Sequence, residues 1–243
     1  MSGFGCFLFA LFFTVITLSA TFLMEKKSFY KFYYDQLAEN KPKNEKEPSQ
    51  SFGFVIKETF EIYKNFGWSV WNYIGITFLN FCSTLCVFPA VCQLAESYEY
   101  SDTDWNKYYY VAVCCFVIFN LADYAGKQFA VWIQKPGPSK IGQFFLLLAT
   151  LLKCGLIPLF MYSNVAVSNR NTSIVFFSDA WYITFVILLG VSNGYIGNIA
   201  MMFGPKSVKN VEHQGTAAAA IVATLVLGCG VGSVISNALV KAL

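Results

Sequence analysis

Six apolar runs, near 5–24, 67–94, 107–133, 142–162, 181–203 and 215–240, divide the chain, with polar segments between them. Each reaches the roughly 20 residues that a helix needs to cross the hydrocarbon core of a bilayer. The pattern predicts an all-α polytopic membrane protein with six transmembrane helices. The first run is followed by its charges, Glu25-Lys26-Lys27, whereas a secretory signal carries them in front, so this run is read as a true span. Pro89 and Pro158 fall within two of the runs. Membrane helices tolerate such breaks where neighbours or a cavity satisfy the freed carbonyls, as in the discontinuous helices of transporters.

The one long hydrophilic stretch, 25–66, is dense in Lys, Glu, Asn, Pro, Ser and Gln between 38 and 50, which predicts a linker disordered at its centre. Its second part, Phe54 to Lys64, sets aromatic and β-branched residues at helical spacing opposite charges, the signature of an amphipathic helix on the membrane surface. The organisation expected is a transmembrane helix over 1–24, a cytoplasmic loop over 25–66 and a five-helix bundle over 67–243.

Composition agrees with that class: 56% hydrophobic and only 13% charged residues exclude an ordinary soluble domain. The net charge of +3 says little, but its distribution says more. Loops 25–66, 134–141 and 204–214 hold most of the lysines, while 95–106 carries Glu96, Glu99, Asp102 and Asp104 with no basic residue. By the positive-inside rule the lysine-rich loops are cytoplasmic and both termini lie outside. Asn171-Thr172-Ser173, a glycosylation sequon, then falls in an outer loop, with Asn171 as its acceptor.

The eight cysteines lie in apolar runs or at their ends and form no CxxC pair, so they are expected to be packing residues, and no structural metal is expected. His213, the single histidine, has no nucleophile at a recognisable spacing, and there is no phosphate-binding loop. The expectation is no enzyme, no cofactor and no nucleic-acid partner.

The candidate chemistry sits inside the spans. Asn120, Asp123 and Lys127 fall at i, i+3 and i+7 of a helix, on one face, and Asp123 and Lys127 form an i,i+4 pair with the acid first. Such charges survive in a membrane where they face a protein interior or a water-filled path. Two readings stand: an ion pair holding helices together, or a polar pathway through a bundle. Lys153, also mid-span, is expected to point into the bundle or pair with a carboxylate; Asp123 is the one acid well inside a span, so pairing leaves a positive charge over. In Ser192–Asn198, Gly194 and Gly197 permit close helix approach, while Asn193, Tyr195 and Asn198 supply polar groups for packing or for a pathway. Gly228, Gly230 and Gly232, in an apolar run, are read as helix packing.

Cys86–Val91, Phe119–Lys127, Ile157–Phe160, Asp179–Tyr182, Ser192–Tyr195 and Phe203–Lys209, in this order and spacing, resemble the equilibrative nucleoside transporters, solute carrier family 29. Phe29–Tyr34 is similar to the segment after the family's sixth helix. The resemblance implies the C-terminal half of a major-facilitator-like carrier, spans six to eleven of eleven, moving nucleosides or nucleobases by facilitated diffusion through alternating access. It implies that Asn120, Asp123 and Lys127 contact a nucleoside of the adenosine or uridine class, with Phe88 and Pro89 near the cavity. Lys127 and Lys153 stand where the family usually has Arg, and Ala217 stands where a Gly usually follows the acid matched by Glu212. It further implies the plasma membrane, and, for a partial family member, association with another copy or with an N-terminal-half partner. The alternative is a non-transporting membrane protein that assembles with or regulates a full-length transporter.

Overall fold

A computed structural model of the chain describes residues 3–32, 64, 66–165, 173–208, 210 and 213–243. The linker read at 38–50, the amphipathic stretch 54–64 apart from Lys64, Asn171 and Thr172 of the sequon, and Glu212 lie outside the described residues. The chain divides into two units, Met1–Ile56 and Lys57–Leu243.

In the first unit the opening apolar run forms one helix, α1 (Gly3–Glu25). Its hydroxyls bond to its own backbone: Thr17, Ser19 and Thr21 donate to the carbonyls of Phe13, Val15 and Thr17 at 2.8, 2.8 and 3.0 Å. A hydroxyl satisfied four residues back along its own helix presents no free donor at the surface.

The second unit contains five helices long and apolar enough to cross a membrane, their bounds within about three residues of the apolar runs. They are α2 (Trp68–Val87, its span running on to Leu94), α3 (Asn106–Ile133), α4 (Lys140–Met161), α5 (Asp179–Lys206) and α6 (Gln214–Ala242). The proline at 89 does not sit inside a helix, as the run 67–94 suggested; it ends one. Phe88 is extended, at φ −102° and ψ 129°, because a residue before proline is pushed out of the helical region. The Phe88–Pro89 bond is cis, and a turn and one 3₁₀ turn (Cys92–Leu94) complete the span.

Helix α3 begins with a π-wound stretch, Asn106–Val117, and continues as α-helix from Ile118. It stops at Gln134, which adopts the left-handed conformation at φ 46°. Helix α4 is capped by Ser139, whose hydroxyl accepts from the Gly142 N–H at 3.1 Å, and is interrupted at Gly155. Pro158 explains the interruption: it has no N–H for the carbonyl of Cys154 four residues back.

Helix α5 lies against both α3 and α2, while α2 packs against α6. Lipid is as apolar as leucine, so such contacts depend on close fit between backbones. The 228–232 glycine series divides accordingly. A Cβ at Gly228 or Gly232 would strike the carbonyl of Phe78 or Cys82 on α2, whereas Gly230 has open space and is no part of that contact. Leu152, Ile141 and Val234 are turned outward, while Asn80, Thr84, Lys153 and Asn193 are buried. Apolar outside and polar inside is the arrangement of a bundle in lipid. Exposed Trp68 and Trp132 mark one end of the α2–α3 pair, and Trp105, Tyr108 and Tyr109 the other, as interfacial aromatic belts do.

Candidate functional site

Four helices converge on one polar chain. Helix α2 supplies Asn80 and Thr84, one turn apart; α4 supplies Lys153, α5 supplies Asn193, and α3 supplies Asp123 and Lys127. Close approach of α3 and α5 permits the junction. Gly194, beside Asn193, lies so near α3 that a Cβ there would strike the Asp123 carbonyl.

At the open end, Lys127 Nζ lies 2.6 Å from Asp123 Oδ2, with side chains 55% and 14% exposed. The other carboxylate oxygen, Oδ1, accepts from Asn193 Nδ2 at 2.8 Å. Asn193 Oδ1 faces three donors: Thr84 Oγ1 at 2.7 Å, Asn80 Nδ2 at 3.2 Å and Lys153 Nζ at 3.2 Å. Lys153, only 4% exposed, also reaches Thr84 Oγ1 at 2.6 Å, Asn80 Oδ1 at 2.7 Å and the Asn80 carbonyl at 2.9 Å. Of the two arrangements expected for Lys153, it takes the first and points into the bundle, where neutral oxygens receive its protons. Asn193 stands between it and the acid.

The remaining candidates lie elsewhere. Asn120 is exposed and donates to the Phe116 carbonyl of its own helix at 2.7 Å, outside the chain of hydrogen bonds to Lys153. The Phe88 ring stacks on Phe119 at 3.9 Å between centroids and meets Phe116 edge-on at 5.5 Å, while Pro89 is exposed beyond the end of α2. The Tyr195 hydroxyl donates to the Lys135 carbonyl past the end of α3, and Asn198 Nδ2 donates to the Lys127 carbonyl at 3.0 Å. Both fasten α5 to α3 or its following loop. Asn80 and Thr84 were not singled out from the sequence, although two polar residues at i,i+4 in an apolar run were the available signal. Among the described residues no group of three or more His, Cys, Asp or Glu could hold a metal ion.

The site can offer both signs of hydrogen bond at one place. A carboxylate has about four lone-pair positions and an ammonium three protons. Asp123 uses one position on each oxygen, and Lys127 is more than half exposed. The pair therefore keeps acceptor and donor capacity for a solute that carries hydroxyls and ring acceptors.

Comparison with known proteins gives the setting. A family model described as nucleoside transporter matches residues 1–241. Equilibrative nucleoside transporter 1 of Homo sapiens is 35% identical over 156 residues, which are 64% of this chain and 33% of that protein. Equilibrative nucleoside transporter 2 of Homo sapiens is 31% identical over 198 residues, 82% of this chain and 41% of the relative. Equilibrative nucleoside transporter 3 of Rattus norvegicus is 34% identical over 145 residues, 57% and 30% respectively. The matched segments thus cover between 30% and 41% of these relatives' lengths. Since the family model runs from residue 1 to residue 241, and the helices that carry the match are built to cross a bilayer, this integral membrane chain belongs to the nucleoside transporter family.

Proposed function

We propose that the chain takes part in facilitated diffusion of nucleosides by alternating access, with the Asp123–Lys127 face as its substrate contact. The observation that carries this reading is the ion pair itself: a carboxylate and an ammonium in the middle of an apolar helix, partly open, on a chain of the nucleoside transporter family. Charges at such a place need a polar solute path or a protein partner opposite them. A nucleoside's sugar hydroxyls donate to Asp123, and its hydroxyl or base acceptors receive from Lys127. Phe119 lies one turn before Asp123 on α3 and is buried, and the half-buried Phe88 ring, from the end of α2, stacks on it and brings an aromatic side chain near the acid. In this reading Gly3–Glu25 is a sixth crossing, the lysine-rich loops are cytoplasmic, Asn171 is glycosylated outside, and the membrane is the plasma membrane.

Uptake of radiolabelled adenosine and uridine into proteoliposomes holding this chain, wild type against Asp123→Ala, tests the reading. Saturable uptake that the substitution abolishes is the expected result. Absence of uptake and of adenosine binding by folded wild-type protein overturns it.

The span of 30% to 41% of the relatives' lengths favours a second reading. Alternating access rocks one bundle against another. The described bundle would then act with a second copy or with an N-terminal-half partner, or serve a full-length transporter as a non-transporting subunit. Co-purification with such a protein, without uptake by this chain alone, would select it.

A further inference from the structure

Lys153 is the one cation buried within the bundle among the described residues, and no acid touches it. An ammonium has donors only, so every group that faces it must turn an acceptor toward it. Asn80 and Asn193 both do: each directs its Oδ1 at Nζ, at 2.7 and 3.2 Å. An asparagine side chain has one acceptor end and one donor end, so committing Oδ1 to Lys153 commits Nδ2 to the opposite side. For Asn193 that opposite side holds Asp123 Oδ1, at 2.8 Å. Thr84 reinforces the arrangement, since its hydroxyl, within 2.6 Å of Nζ, lies 2.7 Å from the same Asn193 oxygen.

We infer that Lys153 is a positioning residue for the site: it fixes the Asn193 amide so that the amide donates to Asp123 and holds the carboxylate turned toward Lys127 and the open face. Lys153 itself is 4% exposed, so its effect on the site passes through Asn193. Asn80 and Thr84 also donate to the Asn193 oxygen, at 3.2 and 2.7 Å, but both are themselves held by Nζ. Without Lys153 all three side chains can turn, and an Asn193 oxygen that swung round would meet the carboxylate oxygen, which must rotate away. This inference rests on the proposed function only for its effect on nucleoside binding; the orientation of Asp123 is a property of the chain by itself.

The test uses the full chain in lipid bilayers, labelled with ¹³C at aspartate carboxyls and ¹⁵N at asparagine side chains and observed by solid-state NMR. Asp123→Asn and Asn193→Ser assign the two signals. Lys153→Met removes the ammonium at similar length, Lys153→Gln replaces it with a group that can accept as well as donate, and Lys153→Arg preserves a donor-only cation. Equilibrium binding of radiolabelled adenosine is measured in parallel. The expected result is that Met and Gln at 153 shift both the Asp123 carboxyl and Asn193 amide signals and weaken adenosine binding about tenfold, the loss of one hydrogen bond to a charged group, while Arg retains both. If the Met variant does not fold, the Gln variant carries the same expectation. Unchanged Asp123 and Asn193 signals in a folded Met or Gln variant overturn the inference. Wild-type adenosine binding by Asp123→Asn would instead overturn the site reading, and the NMR comparison would still decide the role of Lys153.

Discussion

The Tyr182 hydroxyl donates to the Cys92 carbonyl at 2.8 Å, joining the first turns of α5 to the connection between α2 and α3. Both residues are buried, and the Tyr182 ring sits among Tyr110 and Phe160 at 5.9 and 6.0 Å. Three residues earlier Asp179 accepts from Ser97 Oγ at 2.5 Å and from Tyr98 N at 2.8 Å. The Asp179–Tyr182 motif is thus a clasp on the loop that follows α2. Tyr182→Phe, which keeps the ring and loses the bond, is expected to cost about 1 kcal/mol, and Tyr182→Ala about 3–5 kcal/mol. Thermal unfolding of the detergent-solubilised protein followed by tryptophan fluorescence measures both, and a Phe variant as damaged as the Ala variant would refute the division.

Glycine substitutions separate helix contact from open space. A Cβ at Gly194 meets the Asp123 carbonyl and the Lys127 N–H, both backbone, so Gly194→Ala must push α3 and α5 apart. Loss of monodisperse protein on size-exclusion chromatography is expected there, at about 1–3 kcal/mol of overpacking. Gly230→Ala, with nothing nearby, is expected to elute as wild type.

Removal of the exposed cation should act on binding before it acts on folding. Lys127→Met leaves Asp123 held by Asn193 alone, and adenosine affinity is expected to fall about tenfold with little change in unfolding temperature. Lys127→Arg, which keeps the charge, is expected to retain binding. Equal binding by the Met variant and wild type would remove Lys127 from the site.

The orientation expected from the lysine distribution is open to direct labelling. Ser101 lies in the acidic loop and is exposed, and Gly137 lies in the lysine-bearing loop with open space around it. With Ser101→Cys and Gly137→Cys in separate proteins, a membrane-impermeant maleimide added to intact cells is expected to label the first only, and both after permeabilisation. The reverse order would invert the topology.

The extent of the five crossing helices and the Asp123–Lys127 pair were both legible in the sequence, because each rests on something local: run length for the helices, and i,i+4 spacing for the pair. What lay beyond reach was set by tertiary contact. Asn80 and Thr84 are two small polar residues in an apolar run, and nothing along the chain tells that Lys153, about seventy residues on, donates to them. The same holds for Gly230, which shares its neighbours' composition but faces away from α2, and for Asn120, whose side chain returns to its own helix. Pro89 could be read as a break, but whether it bends a helix or ends one depends on where the following backbone goes. The π-winding of Asn106–Val117 leaves no residue pattern that separates it from α-helix.

The bond from Asn198 to the Lys127 carbonyl and the press of Gly194 against Asp123 have a mechanical consequence. At Gly194 backbone meets backbone with no side chain between, and one turn on the Asn198 side chain pins α5 to α3, so the two helices can neither slide nor twist past each other by much. In any conformational cycle the carboxylate travels as a passenger on a stiff two-helix beam. The hinges must be sought at the beam's ends, and the charge keeps its bearing relative to that beam while the surroundings change about it.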